Sequence, residues 1–307
     1  HGSSGTASWA EKTRIGGYGE LHYNNPVRSP AEVAQAVRFG VVSASVDCLT
    51  ELEKLAPLAG IEVAVRFRLP VAGAAYDFGA KFGASEAEAA LLLAEVAQRG
   101  FLPSLCFHPG TQCPDPEAWA DYIRAAGRIV RAANVTIARL NVGGGFSADR
   151  GQGTPDHPAV FARIAAETKA AFGPCAPQLL CEPGRALAAP AVTLALRVKA
   201  LRPDGSLVLN DGTYGGLAEW RDMPAGKIRV VRLDAELDRN PTSERVIWGP
   251  TCDSLDRLPD PVSLPRDIAE GDYLLLPGMG AYCQSISTQF NGYGPGAPVM
   301  ASFGSGH

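Results

Sequence analysis

The spacing of apolar residues changes repeatedly between residues 20 and 190. Short apolar runs such as "VVSASV", "VAVRF" and "LPSLCF" alternate with longer segments, such as "SEAEAALLLAEVAQRG", in which apolar residues recur every three or four positions. The short runs predict β-strands, and the longer segments predict amphipathic helices. The pattern predicts six strands, and a recognisable helix follows five of them.

Several predicted helices begin with strong start signals. Ser29 stands three positions before Glu32, and Ser85 stands three positions before Glu88, so both segments carry the Ser-x-x-Glu capping box. Asp115 stands before a proline at the start of a further helix. We expect helices to begin at these positions.

Strands that alternate with helices predict βα units and a parallel sheet. Polar residues follow the ends of many of these strands: Asn25, Arg66, His108, Glu182 and Arg185. Polar groups from many successive strand ends fit the active face of a barrel better than the single crevice of a doubly wound sheet. We therefore expect an α/β protein with a (β/α)8-type barrel over residues 21–190, two strands short of eight.

The pattern changes after residue 190. Runs such as "VTLALRVKAL", "SLVLN", "KIRVVRL", "ERVIW", "DYLLL" and "PVMAS" are rich in β-formers and separated by turn residues, and none reads as a helix. They predict a second, mostly antiparallel β domain over residues 191–307.

Composition excludes several classes of function. A chain of 307 residues with 46% apolar residues can bury a large core, and its net charge of −4 argues against a nucleic-acid surface. No apolar run reaches the roughly 18 residues of a membrane helix, so we expect a cytoplasmic protein. The seven cysteines show no metal-binding spacing, which indicates reduced thiols and no metal site. Residues 1–20 begin with a Gly/Ser-rich stretch and resemble a tag or a foreign leader.

Three motifs in the barrel region carry candidate chemistry. "NVGGGF" places Gly143, Gly144 and Gly145 after a strand, where backbone N–H groups can bind an anion, although a tight turn needs no ligand. "CEPGR" sets Glu182 and Arg185 close together, as a cofactor pocket or as a surface ion pair. "FHPGTQ" offers His108 and Thr111 after another strand, and a single histidine is more often structural.

Three further motifs lie in the β-rich region. "NDGTYGG" carries Asp211, "WGPTCDSLD" carries Cys252 and Asp253, and "GMGAYCQSISTQFNGY" carries Tyr282 and Phe290. Each motif alone is compatible with an ordinary turn. Their joint occurrence, in this order, favours a functional site.

The ordered set of motifs resembles the fold type III, alanine-racemase-like, pyridoxal-phosphate-dependent decarboxylases, and within them the ornithine decarboxylase branch. The resemblance covers residues 21 to 303, and "GPTCDSLD" is its most specific part. It implies pyridoxal 5'-phosphate (PLP) as cofactor, a barrel followed by a β domain, and decarboxylation of a basic diamino acid, L-ornithine to putrescine in polyamine biosynthesis. A racemase on the same barrel is disfavoured by "TCDSLD".

The resemblance also implies roles for individual residues. The cofactor phosphate is expected at Gly143, Gly144, Gly145, Arg185 and Tyr282. Glu182 is expected to pair with the pyridine nitrogen, His108 to stack on the ring, and Arg66 and Thr111 to contact the cofactor, although the family usually has serine at position 111.

On the substrate side, the resemblance implies that Cys252 protonates the carbanion and that Asp211 and Asp253 bind the distal amine, with Phe290 nearby. Family members form homodimers with shared active sites, and Lys81 and Asp256 resemble a pair that bridges the subunits.

The family's Schiff-base lysine has no counterpart in the expected motif. The lysines of this chain do not follow an apolar strand at the required place: Lys12, Lys54, Lys81, Lys169, Lys199 and Lys227. We therefore expect a truncated or N-terminally replaced decarboxylase that is inactive alone. The alternatives are a decarboxylase of lysine or another diamino acid, and a catalytically dead homologue that acts as a binding protein.

Overall fold

The computed structural model describes residues 20–69, 81–151, 153–223, 228–233, 235–238 and 240–300. The expected leader lies outside these residues, apart from Glu20. The chain divides into two compact units. The first comprises residues up to His108 with Ala120–Val142 and Ala166–Leu180, and the second comprises Pro109–Trp119, Gly143–Ala165 and the chain from Cys181.

The first unit contains a six-stranded parallel sheet. Its strands are β1 (His22–Tyr23), β2 (Ser43–Val46), β3 (Glu62–Arg66), β4 (Leu102–Cys106), β5 (Arg139–Asn141) and β6 (Gln178–Leu180). Each strand pairs with the next one along the chain, in the order β1-β2-β3-β4-β5-β6. A doubly wound sheet would show a reversal of strand order, whereas a barrel sheet does not. The prediction of a parallel, barrel-type sheet is confirmed, with six strands in the described ranges.

Five α-helices lie between these strands in the described ranges, and the three that carry start signals in the sequence begin where those signals predict. The five helices are α1 (Pro30–Arg38), α2 (Leu49–Glu53), α3 (Glu86–Gln98), α4 (Pro116–Ala133) and α5 (His157–Phe172). Ser29 caps α1, because its Oγ accepts a hydrogen bond from the Glu32 N–H and the Glu32 carboxylate accepts one from the Ser29 N–H. The same reciprocal pair caps α3 at Ser85 and Glu88.

The core of the first unit is built from the apolar positions that defined the pattern. Val65, Leu93, Leu105 and Ile123 are fully buried, and burial of each such side chain stabilises the fold by roughly 1.5–3 kcal/mol. The β4 strand leads directly into Phe107, whose ring stacks on Tyr122 at a centroid distance of 4.6 Å. This packing anchors the chain immediately before the "HPGTQ" loop.

The second unit contains two sheets. Their strands are β7 (Leu194–Leu201), β8 (Leu207–Leu209), β9 (Arg229–Val231), β10 (Thr242–Arg245), β11 (Ile247–Trp248), β12 (Val262–Pro265) and β13 (Tyr273–Leu276). One sheet has the order β11-β8-β7-β13-β9, and β10 pairs with β12. The pairs are antiparallel except for β11 with β8, as predicted for a mostly antiparallel domain.

Three features of the second unit differ from expectation. The segment "PVMAS" is not a strand over residues 298–300, where Val299 and Met300 are exposed, and its last two residues lie outside the described ranges. The unit also contains short helices, too brief to show an apolar period: α6 (Gly184–Ala188), α7 (Ala218–Asp222) and α8 (Cys283–Ile286). Finally, the loops after β4, β5 and β6 group with the second unit, although the change from parallel to antiparallel strands falls near the predicted boundary.

No helix in the described ranges is long and apolar enough to cross a membrane. All seven cysteines are free thiols, in agreement with the prediction of reduced cysteines.

Candidate active site

The glycine loop after β5 has a backbone that other residues would not tolerate. Gly143 and Gly145 adopt φ angles of 71° and 86°, in the left-handed region. A Cβ atom at Gly145 would lie less than 3.0 Å from the carbonyl oxygen of Gly110, which real Cβ atoms essentially never do. Alternating left-handed residues turn successive N–H groups toward a common side, which forms a concave site for an anion.

The loop after β4 holds this glycine loop in place. The Gln112 side chain donates a hydrogen bond to the Ala148 carbonyl (3.2 Å) and accepts one from the Ala148 N–H (2.7 Å). The Cys113 N–H donates to the Gly145 carbonyl (2.9 Å). Thr111, the candidate chosen from sequence, is half-buried in the same loop. Gln112 is not among the site residues predicted from the sequence, because a glutamine in a loop carries no distinctive signal.

Arg185 finds its ion-pair partner far away in sequence. Its Nη1 forms a short ion pair with Oε1 of Glu219, and the Tyr282 ring centre lies 4.9 Å from its guanidinium carbon. The neighbouring Glu182 is exposed, and its N–H donates to the Gly143 carbonyl (2.8 Å). The "EPGR" turn therefore lies against the glycine loop and presents Arg185 toward Tyr282.

A second arginine lies behind the first. Arg150 is almost completely buried, and its Nη2 lies 3.4 Å from Oε2 of Glu219 and 3.6 Å from the Met279 sulfur. Burial lowers the pKa of Arg150, and its Nε has no hydrogen-bond partner among the described residues. The Cys283 thiol donates to Oε2 of Glu219 (3.6 Å), and burial followed by the Glu219 charge raises its pKa to about 11. We call Arg150, Arg185, Glu219 and Cys283 the arginine cluster.

A different group of side chains surrounds Cys252. The Asn291 amide nitrogen donates a hydrogen bond to the Cys252 sulfur (3.1 Å). The Tyr214 hydroxyl donates to Asp253 Oδ2 (2.5 Å), and the rings of Tyr214 and Phe290 lie 4.9 Å apart. The bond from Tyr214 is the main reason that the pKa of Asp253 is lowered. We call Tyr214, Cys252, Asp253, Phe290 and Asn291 the thiol cluster.

Asp256 joins the two loops that carry the thiol cluster. It is buried, and its carboxylate accepts hydrogen bonds from the backbone and hydroxyl of Thr213 (2.8 and 3.0 Å) and of Thr251 (3.1 and 2.7 Å). These four bonds hold "NDGTYGG" against "WGPTCDSLD". Pairing of Asp256 with Lys81 of a second subunit stays a prediction.

Asp211 is also buried, at the start of the same glycine-rich turn. Its carboxylate accepts hydrogen bonds from the N–H groups of Gly212 and Gly216, both at 2.8 Å. Burial raises its pKa, although the two hydrogen bonds act in the opposite direction. The carboxylate organises its own turn, and its contact with a substrate amine stays a prediction.

Two of the predicted cofactor residues belong to the first unit. Arg66 ends β3, with its guanidinium carbon 5.5 Å from the Phe82 ring centre. His108 follows β4, and burial, with a smaller contribution from the Arg66 charge, lowers its pKa to about 4. The imidazole is therefore neutral at neutral pH.

The residues of the second unit fit a phosphate group. The absence of a Cβ atom at Gly145 lets the Gly110 carbonyl pack against the glycine loop. Backbone N–H groups of a glycine loop that follows a strand can bind an anion. Arg185 offers a planar set of donors, of which Nη1 is used by Glu219. The unpartnered Nε of buried Arg150 shows that the cluster has donor capacity beyond its internal bonds.

Comparison with known proteins agrees with this fit. The pyridoxal binding domain of the pyridoxal-dependent decarboxylases matches residues 16–189. Decarboxylase flvG of Aspergillus flavus is 31% identical over 88% of this chain and 67% of its own length, and ornithine decarboxylase 2 of Drosophila melanogaster is 31% identical over 88% and 71%. The crystal structure of the arginine decarboxylase of Paramecium bursaria Chlorella virus superposes with a TM-score of 0.78 at 28% identity, over 89% of this chain and 75% of that one.

The match to the pyridoxal binding domain covers more than half of the chain, and the glycine loop and "EPGR" turn lie within it. The relatives align across the second unit as well. This chain belongs to the pyridoxal-dependent amino-acid decarboxylases, which act on small-molecule substrates with PLP as cofactor.

Proposed function

We propose that this chain forms the phosphate-binding and substrate-binding parts of a decarboxylase that converts a basic diamino acid, most of all L-ornithine, to its diamine. The observation that carries the proposal is the thiol cluster, in which a proton donor, Cys252, stands beside a carboxylate, Asp253, whose pKa is lowered. A carboxylate kept ionised selects a cationic side chain, because an aliphatic analogue would leave its charge without a counter-ion.

Residues of the second unit hold the cofactor. The N–H groups of Gly143 to Gly145 and the guanidinium of Arg185 bind its phosphate, and Tyr282 and Thr111 add hydroxyl groups. Glu182 keeps a proton on the pyridine nitrogen. When bound, PLP supplies the electron sink for the electron pair that remains as CO2 leaves.

His108 and Arg66 of the first unit are further cofactor contacts in this proposal. A neutral imidazole stacks on the pyridine ring without adding a second positive charge beside the protonated nitrogen. The lowered pKa of His108 supports this role.

The substrate contacts come from the thiol cluster and Asp211. Cys252 delivers a proton to the substrate α-carbon after CO2 has left, and Asn291 orients its sulfur. Asp253 and Asp211 bind the distal ammonium, and Phe290 packs on the aliphatic part. In a symmetric homodimer with shared sites, the thiol cluster of one subunit would serve the site of its partner.

Turnover tests the proposal on protein expressed from the reading frame that contains this sequence. CO2 release is measured with PLP and with ornithine, lysine or arginine, in wild type, Asp253→Ala and Cys252→Ala. We expect ornithine to give the highest kcat/KM, Asp253→Ala to raise KM for ornithine, and Cys252→Ala to slow amine formation. No CO2 from any of the three substrates would refute the function, and an unchanged KM in Asp253→Ala would refute the amine contact.

The prediction that none of the six lysines anchors the cofactor is tested separately on the present chain. PLP is added, the absorbance spectrum is recorded, and borohydride is followed by intact-mass measurement. We expect no stable adduct. A mass gain fixed on a lysine would show that one of the six lysines anchors the cofactor. Cofactor binding without any turnover by the complete protein would favour the catalytically dead homologue.

A further inference from the structure

Glu219 lies between two arginines, of which the proposed function uses only Arg185. The side chains of Arg150 and Glu219 are 1% and 6% exposed, and that of Arg185 is 10% exposed. Removal of three charged groups from water is costly, and Arg150 touches no part of the reaction as proposed. The proposed function therefore does not explain why Arg150 is buried beside Glu219.

The two oxygens of Glu219 serve different arginines. Oε1 pairs with Nη1 of Arg185, and Oε2 lies 3.4 Å from Nη2 of Arg150. Because the carboxylate holds Arg185 through one nitrogen and the Tyr282 ring packs against its guanidinium, rotation of this side chain is restricted. The remaining donors of a guanidinium stay available for an anion.

The charges of the cluster do not cancel. Arg150 and Arg185 carry two positive charges and Glu219 carries one negative charge, while the high pKa of Cys283 keeps its thiol neutral. The cluster thus has a net charge of +1, which attracts a phosphate. Without Arg150, the remaining Arg185–Glu219 pair would be neutral.

We propose that Glu219 is a positioning residue for the phosphate ligand Arg185, and that Arg150 supplies the second positive charge that leaves the cluster positive. The inference rests on the proposed function, since it assumes that Arg185 binds the cofactor phosphate. The burial of Glu219 and its two arginine partners disfavour a direct contact between its carboxylate and the substrate.

The test compares Arg150→Met with Arg150→Met/Glu219→Gln in the present chain. Both variants lack Arg150, so removal of the carboxylate leaves only one arginine, Arg185 with a side chain 10% exposed, without its counter-ion. The two variants differ only in the carboxylate that holds Arg185. Dissociation constants are measured for PLP and for pyridoxal, which lacks the phosphate. Arg245→Met is the matched control, because Arg245 lies in the same unit outside the cluster and also has an unpartnered Nε.

Loss of the Glu219 charge by itself would favour an anion, so weaker binding of PLP can come only from loss of the position of Arg185. We expect the double variant to bind PLP at least about tenfold more weakly than Arg150→Met, the size of one lost charge-assisted contact, with pyridoxal binding unchanged. Arg150→Met should itself bind PLP more weakly than wild type, and Arg245→Met should match wild type. Equal PLP affinity in the two cluster variants would overturn the positioning role. An equal loss for PLP and pyridoxal would also overturn it, because it would indicate a purely structural effect.

The failure of the inference differs from the failure of the proposed function. If wild type binds PLP and the variants do not differ, only the role of Glu219 is wrong. If no variant, including wild type, binds PLP, the assignment of Arg185 to the phosphate fails and the inference fails with it.

Discussion

The arginine cluster and the thiol cluster of the second unit differ in how their charged groups are buried and paired. Arg150 and Glu219 are buried, and each charge is matched by a partner within the chain. Cys252 is exposed, and Asp253 is half-buried with a single hydroxyl, that of Tyr214, bonded to its Oδ2. A buried charge needs a partner of opposite charge, whereas an accessible charge is hydrated by solvent until a ligand binds.

The difference separates positioning from chemistry. Groups in the arginine cluster are held by several partners at once, so they suit a constant task such as holding a phosphate. Groups in the thiol cluster keep access to solvent, so they suit contact with a substrate that arrives and leaves.

The largest effect is expected for Glu219→Ala, which leaves Arg150 and Arg185 side by side without a counter-ion. Loss of one partner from a buried ion pair costs about 3–5 kcal/mol in unfolding free energy. Urea unfolding measures it, with Asp253→Asn as the accessible counterpart that should stay close to wild type. Equal stability of the two variants would abolish the contrast between the clusters.

The second prediction concerns the pH dependence of the unfolding free energy and involves His108 of the first unit. His108 has a pKa near 4 in the folded protein, against about 6.5 in an unfolded chain, so between these values the unfolded state binds a proton that the folded state does not. The unfolding free energy should therefore be complete above about pH 6.5 and fall by roughly 3 kcal/mol as the pH drops to about 4.

The control for this pH effect is His108→Gln, measured by urea unfolding over the same range. The wild type should lose more stability than the variant on acidification. Parallel pH profiles would mean that the imidazole is not buried in its neutral form.

A smaller difference in stability is expected between an alanine substitution in the glycine loop and one at a glycine with open space around it. Gly145 and Gly100 have similar φ angles, +86° and +80°, but a Cβ atom would clash with the Gly110 carbonyl only at Gly145. Both alanine variants carry backbone strain of about 1–3 kcal/mol, and Gly145→Ala should be less stable by a further amount of similar size. Thermal unfolding compares them, and equal melting temperatures would contradict a close approach at Gly145.

The mildest test uses the two cysteines of the clusters. Cys283 is buried with a pKa of about 11, so very little thiolate exists at pH 8, whereas Cys252 is exposed. Brief treatment of native protein with iodoacetamide should alkylate Cys252 and spare Cys283, as read by peptide mass spectrometry. Rapid labelling of Cys283 would show that the arginine cluster opens to solvent.

Local signals in the sequence predict many elements of the fold. The capping boxes at Ser29 and Ser85 were read correctly because the hydrogen bonds involved span only three residues. The short helix α7 was missed, since five residues show no apolar period. The motifs that supply the thiol cluster, Arg185 and Cys283 were also visible, because glycine, cysteine and charged residues in loops stand out from an apolar pattern. Arg150 and Glu219 lie outside those motifs.

What the sequence alone determined is therefore the order of elements, the parallel character of the first sheet and the set of motifs that assign the family. Packing of distant loops brings Glu219 between Arg150 and Arg185. It also places Tyr214 within hydrogen-bond distance of Asp253, and Asn291 within hydrogen-bond distance of Cys252. The physical reason is distance along the chain: secondary structure follows from neighbours a few residues apart, whereas the partner of a charge depends on which loops the packed strands bring together.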